Sequence, residues 1–163
     1  MRTKNSHHGF TIIELMLSLA LMTILAALTI PLFGNNDDLQ IDIAKRLLVS
    51  DLEYAQILAI TNTQEEIALI VDSSNGGWHI ASLDNPSVPL EDSVTGEPLV
   101  TTFGLGPAAS AGNVTIESNM PGNMVAFNQN GGLIDFTQIA VMTLRCGEST
   151  SEIQVTPMTG SIR

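Results

Sequence analysis

The sequence predicts an α+β fold: a long N-terminal α-helix, transmembrane in its first half and amphipathic in its second, followed by an antiparallel β-sheet domain. Three observations predict it. No side chain between residues 15 and 33 is charged. From 39 to 61, apolar residues recur at steps of three and four, the period of one helix face. Beyond residue 66 the chain breaks into short apolar and β-branched segments separated by clusters of Gly, Asn, Asp and Ser, the pattern of strands and tight turns. A helical run followed by a run of strands is α+β order rather than βαβ alternation. The 163 residues leave room for one compact domain beside the apolar helix.

Residues 1–9 carry Arg2 and Lys4 and read as a short basic leader. His7 and His8 have no third metal ligand near them in sequence and would be discarded with it. The uncharged run 15–33 is about 19 residues, or ~28 Å of helix, close to one hydrocarbon thickness. The membrane helix is expected over 10–33, with the basic leader on the cytoplasmic side and the following domain across the membrane. Glu14 stands near the start of this segment. A carboxylate in hydrocarbon costs several kcal/mol and needs a named partner. A cut between Gly9 and Phe10 would place a new α-amine four residues before Glu14, on the same helix face. That amine could meet its own Glu14 or the Glu14 of a neighbouring helix. An ordinary secretory signal is the alternative, with Ala26 and Ala27 as small residues for its cleavage. Glu14, and an apolar run longer than the ~7–15 residues of such signals, argue against it.

Pro31 disfavours helix at Ile30, and Gly34-Asn35-Asn36-Asp37-Asp38 reads as a breaker, with Asp37 or Asp38 as N-cap of the next helix. Over 39–61 the stripe Ile41, Ala44, Leu48, Leu52, Ala55 and Ala59 is expected to pack on the sheet, widened by Ile43, Leu47 and Leu58. Asp42, Lys45, Arg46, Asp51 and Glu53 are expected to point mostly elsewhere. Strands are expected at 67–71 and 78–83, a hairpin around the turn cluster 72–77. The segment 84–112, rich in Pro, Gly, Ser and Asp, reads as a long loop with one strand at 99–103; such a loop is often functional or mobile. Further strands are expected at 114–117, 124–128, 139–144, 153–156 and 161–163, with tight turns at 128–132 and 158–160.

Gly9-Phe10-Thr11-Ile12-Ile13-Glu14 behind a basic leader resembles the class III signal of type IV pilins and type II secretion pseudopilins. That resemblance implies cleavage after Gly9 by a prepilin peptidase, methylation of the Phe10 amine, and a role for Glu14 in filament assembly. The helix 39–61 leading into a Val/Trp hairpin is similar to the GspH/FimT branch of that family. So are Phe127-Asn128-Gln129-Asn130-Gly131 and the ending Gly160-Ser161-Ile162-Arg163. The resemblance covers nearly the whole chain except 84–112.

The formal net charge is −11, and the lone basic cluster outside the leader is Lys45-Arg46. Such a surface repels nucleic acid, so no nucleic-acid partner is expected. The single cysteine, Cys146, allows no internal disulfide and reads as a small buried hydrophobe. No catalytic motif is present, and His79 reads as an exposed strand residue rather than a catalyst. Asp84, Glu91, Asp92 and Glu97 cluster in one loop without EF-hand spacing and read as a solvated acidic loop; neither metal nor cofactor is expected. Asn113-Val114-Thr115 is a chance glycosylation sequon. The function expected from the resemblance is structural. It is that of a minor pseudopilin of the type II secretion pseudopilus, anchored in the inner membrane with a periplasmic domain over 34–163, whose partners are the prepilin peptidase and other pseudopilins or pilins. The alternatives are a FimT-like minor pilin of a type IV pilus and, from another class, a signal-anchored periplasmic enzyme.

Overall fold

The computed structural model describes residues 11–29 and 36–163, apart from Thr63, Ser73, Asn75 and Phe136. The chain divides into two units, Met1–Asn36 and Asp37–Arg163. In the first, α1 runs from Ile12 to Thr29, and its apolar side chains from Ile12 to Leu25 are exposed. Eighteen residues make about 27 Å of helix. Among the described residues no helix is long and apolar enough to cross a membrane. The expected span 10–33 has its ends, Phe10 and residues 30–33, outside the described residues.

The second unit begins with α2, Asp37–Thr61. Asp37 and Asp38 sit in its first turn, where the helix dipole favours them, rather than before it as N-caps. The buried residues of α2 are the six of the expected stripe: Ile41, Ala44, Leu48, Leu52, Ala55 and Ala59. They bury because the residues that follow fold into strands that can cover one helix face and no more.

The strands are β1 Ile67–Asp72, β2 Gly77–Ser82, β3 Val100–Thr102, β4 Thr115–Ser118, β5 Met124–Phe127, β6 Ala140–Cys146 and β7 Ser149–Val155. They form two antiparallel sheets, not one. The first has the order β3-β2-β1-β5 and the second β4-β6-β7. α2 packs against β1 and β5 of the first sheet and β6 and β7 of the second. Both sheets therefore send their inward residues to one core, with Leu69, Trp78, Ile80, Val125 and Phe127 from the first and Ile116, Met142, Leu144 and Ile153 from the second. In β6 the period-two alternation is visible, with Ala140, Met142, Leu144 and Cys146 all buried.

β7 starts four residues earlier than expected. Ser149-Thr150-Ser151-Glu152 carries no apolar signal, but a two-residue turn at Gly147-Glu148 pairs Cys146 with Ser149 and carries the ladder on to Ala140 and Val155. Gly147 takes the first turn position at φ +57°, a conformation glycine reaches without strain. The expected strand 161–163 is a single bridge of Ile162 to Val155, held by reciprocal bonds between Gln154 and Arg163.

Residues 84–112 are packed rather than loose. Leu90 donates to Ile80 O and Leu99 to Leu90 O, and a short 3-10 helix, Gly106–Ala111, buries Ala108 and Ala111 beside α2. This order is invisible in composition because small residues and prolines carry it.

Leu52→Ala is expected to destabilise the domain by about 2–5 kcal/mol, because the side chain is fully buried and its removal leaves a cavity. Denaturant unfolding measures this, and a loss under about 0.5 kcal/mol would place Leu52 outside the core. A chain beginning at Asn36 is expected to be soluble and to melt cooperatively. Aggregation of that chain, where full-length protein in detergent melts cooperatively, would refute the division.

Candidate assembly site

Glu14 lies in the first turn of α1. Its backbone N–H donates to Thr11 O at 3.1 Å and to the Thr11 hydroxyl at 3.3 Å, and Leu15 N–H also reaches Thr11 O. Thr11-x-x-Glu14 is the spacing of a capping box, in which Thr caps the helix start and Glu occupies its third position. Sequence reading took Glu14 as the partner of a new α-amine, its own or a neighbour's, and passed over Thr11, although the T-x-x-E signal was legible. The Glu14 side chain is exposed, on a helix whose neighbouring side chains are Ile, Leu and Met. A carboxylate in the first turn of a helix interacts favourably with the helix dipole. Gly9 and Phe10, the expected processing residues, lie outside the described residues.

The remaining candidates resolve into supports for the fold. Asp51, expected to point away from the core, instead accepts from Trp78 Nε1 at 2.7 Å and from the Thr101 hydroxyl at 2.9 Å. It ties α2 to β2 and β3, and Trp78 meets Phe103 edge-to-face with ring centroids 5.4 Å apart. A polar residue in an amphipathic helix reads as solvated unless its partner is known, so the sequence offered no signal. One turn on, Tyr54 donates to Asp92 at 3.4 Å. Withdrawal from water, then the charge of Asp92, pushes the Tyr54 hydroxyl above its usual range.

Asp92 accepts from the backbone of Val94 and Thr95, both at 2.8 Å. These bonds hold its carboxyl below the usual range. The acidic loop thus spends Asp92 on its own turn. Among the described residues no three His, Cys, Asp or Glu side chains come together as a metal site. His79, expected to be exposed, is half-buried and donates from Nε2 to Pro86 O at 2.9 Å, closing the loop after β2. Cys146 is buried, and burial raises its thiol pKa, with Asp37 adding to the effect.

The two elements of the C-terminal half that carry the resemblance meet at one side chain. Gln56 donates from Nε2 to Gly131 O at 2.6 Å and to Gly160 O at 3.3 Å. Both glycines are buried and have positive φ, +80° at Gly131 and +62° at Gly160. A Cβ at Gly160 would run into Gly131 O and the Gln56 amide, so this close approach requires glycine.

Two family models match the chain. That for the prokaryotic N-terminal methylation motif covers residues 4–30, and that for type II transport protein GspH covers residues 44–159. No curated protein matches in sequence. Among solved structures, two crystal forms of the type IV minor pilin FimU of Pseudomonas aeruginosa (strain PAO1) are similar in fold. One aligns with a TM-score of 0.50 at 16% identity over 75% of this chain and 89% of that one. The other aligns with a TM-score of 0.54 at 14% identity over 77% and 87%. At such identities the likeness is one of fold. With more than half its length matched by the second model, and the methylation motif ahead of it, the chain belongs to the family of type II transport protein GspH.

Proposed function

We propose that the protein is a minor pseudopilin that helps initiate or cap the type II secretion pseudopilus, for protein export across the outer membrane. Its family is one of structural pilin-like subunits, so the chain is not an enzyme. The observation that carries the reading is the joining, in one chain, of a methylation motif over residues 4–30 to a GspH domain over 44–159. On this reading prepilin peptidase cuts between Gly9 and Phe10 and the Phe10 amine is methylated. The segment 10–33 holds the protein in the inner membrane, and residues 34–163 form the periplasmic domain. Glu14 then serves assembly with other pseudopilins, by pairing with the Phe10 amine of an adjacent subunit, where a low dielectric strengthens the attraction.

The second reading, a minor pilin of a type IV pilus, is favoured by the fold likeness to FimU. The form of that reading in which the protein binds DNA is disfavoured by charge. Each neutralised phosphate needs a cation, and beyond residue 46 the chain offers Arg145 and Arg163.

N-terminal sequencing of protein extracted from membranes is expected to begin at Phe10, and a bulky residue in place of Gly9 to leave the leader uncut. A mature start near Leu28 would end this reading. Glu14→Leu is expected to be inserted and processed, because the cut site is untouched and the helix becomes more apolar, yet to be lost from sheared or crosslinked filaments. Removing one partner of a buried pair leaves the other uncompensated. Assembly of the processed variant at the parent level would remove the docking role and leave Glu14 with the helix cap. Full-length protein is expected to show no salt-sensitive binding to duplex DNA near physiological ionic strength.

A further inference from the structure

At the C-terminal end of α2 two clefts share Asn128. One, of about 330 Å³, is bounded by Leu133, Pro157 and Met158. Its rim is apolar and open: Met158 is 83% exposed. Ile60, 47% exposed, stands over the same 128–132 turn, since a Cβ at Gly131 would lie 3.0 Å from its Cδ1. The backbone beneath is fixed. Leu133 N–H donates to Pro157 O at 2.7 Å, and Gln56 holds both Gly131 and Gly160. The second cleft, of about 350 Å³, is lined by Asn62, Glu65, Glu66 and Asp84 among others. Glu66 is also tied to the strand end through Leu83 N–H, which donates to its carbonyl at 2.8 Å. Among the described residues the carboxylates of Glu65, Glu66 and Asp84 meet no cation, and that of Glu65 accepts from the Asn62 amide at 3.3 Å.

A preformed apolar cleft beside an unneutralised acidic one selects its occupant by charge and shape. We propose that this composite surface docks a segment of another protein in which an exposed apolar side chain is flanked by Lys or Arg. The apolar side chain enters between Leu133, Pro157 and Met158, where a flexible Met can adjust to it. The cations meet Glu65, Glu66 and Asp84. A second copy of this chain suits the surface poorly, because the copies share a net charge of −11 and repel. The surface lies outside the membrane segment and does not depend on which filament hosts the protein.

The test uses full-length protein in maltoside micelles, with a peptide of alternating leucine and lysine as probe and empty micelles as reference. Methyl spectra of the seven methionines report the site. The Met158 signal is expected to shift saturably while that of buried Met142 stays. Ile60→Ser with Met158→Ser, or Glu65→Gln with Glu66→Gln, should each weaken binding about ten-fold or more. Glu148→Gln with Glu152→Gln should leave it within about two-fold, as expected of exposed charges elsewhere. Trp78 emission verifies that each variant is folded. Equal binding of an all-lysine peptide, or equal weakening by the Glu148/Glu152 pair, would reduce the effect to general attraction by an acidic protein and overturn the proposal. So would a Met158 shift on raising protein concentration without peptide, which would make a second copy the occupant.

Discussion

One helical face has to satisfy two sheets. The stripe from Ile41 to Ala59 is the shared floor of the four-stranded and three-stranded sheets, and neither has another apolar layer of comparable extent to cover its inner residues. Small residues make this possible. Ala44, Ala55 and Ala59 let strands approach the helix backbone, while Leu48 and Leu52 fill the space between. A helix buried on one face exposes the other, and α2 keeps Asp42, Arg46 and Glu53 there. Its two termini do different work. The first turn meets the β6–β7 hairpin, and the last two turns meet the glycine turns of the C-terminal half.

Polar side chains on the flanks of the stripe set the register of what lies over it. Asp51 and Gln56 are both half-buried and both bond across long stretches of sequence, to Trp78 and Thr101 and to Gly131 and Gly160. A buried carbonyl without a partner costs about 1–3 kcal/mol, so Gln56 holds two turns that would otherwise compete with water for their bonds. Apolar packing alone would tolerate small slides of the two sheets; directional bonds of this kind do not.

The C-terminal end of α2, the core stripe and most strands were legible in the sequence, because periodicity reports burial directly. The six stripe residues follow from their spacing alone. What could not be read were features set by partners distant in sequence. The division into two sheets depends on β5 crossing to pair with β1, where Ile67 faces Phe127, and no local pattern encodes that choice. The early start of β7 rests on pairing with β6, since Ser149 to Glu152 are polar. Order in 84–112 comes from bonds to Ile80 and from alanines small enough to pack on α2, which composition reads as loop. At the candidate site, Glu14 was conspicuous as a lone acid before an uncharged run, while Thr11, legible three residues before it as the T of T-x-x-E, was overshadowed by that acid.

The carboxylates that open α2 have a consequence for mechanics. Asp37 accepts from the Cys146 thiol at 3.5 Å and Asp38 from the Ser149 hydroxyl at 2.5 Å, on either side of the Gly147 turn. Tension arriving along the preceding chain enters the folded unit at this point. It meets a helix end already fastened to the closed end of a hairpin whose ladder runs seven residue pairs, from Cys146–Ser149 to Ala140–Val155. A tug on the tether is therefore shared with a three-stranded sheet from its first increment, instead of peeling the helix away from its N-terminus turn by turn.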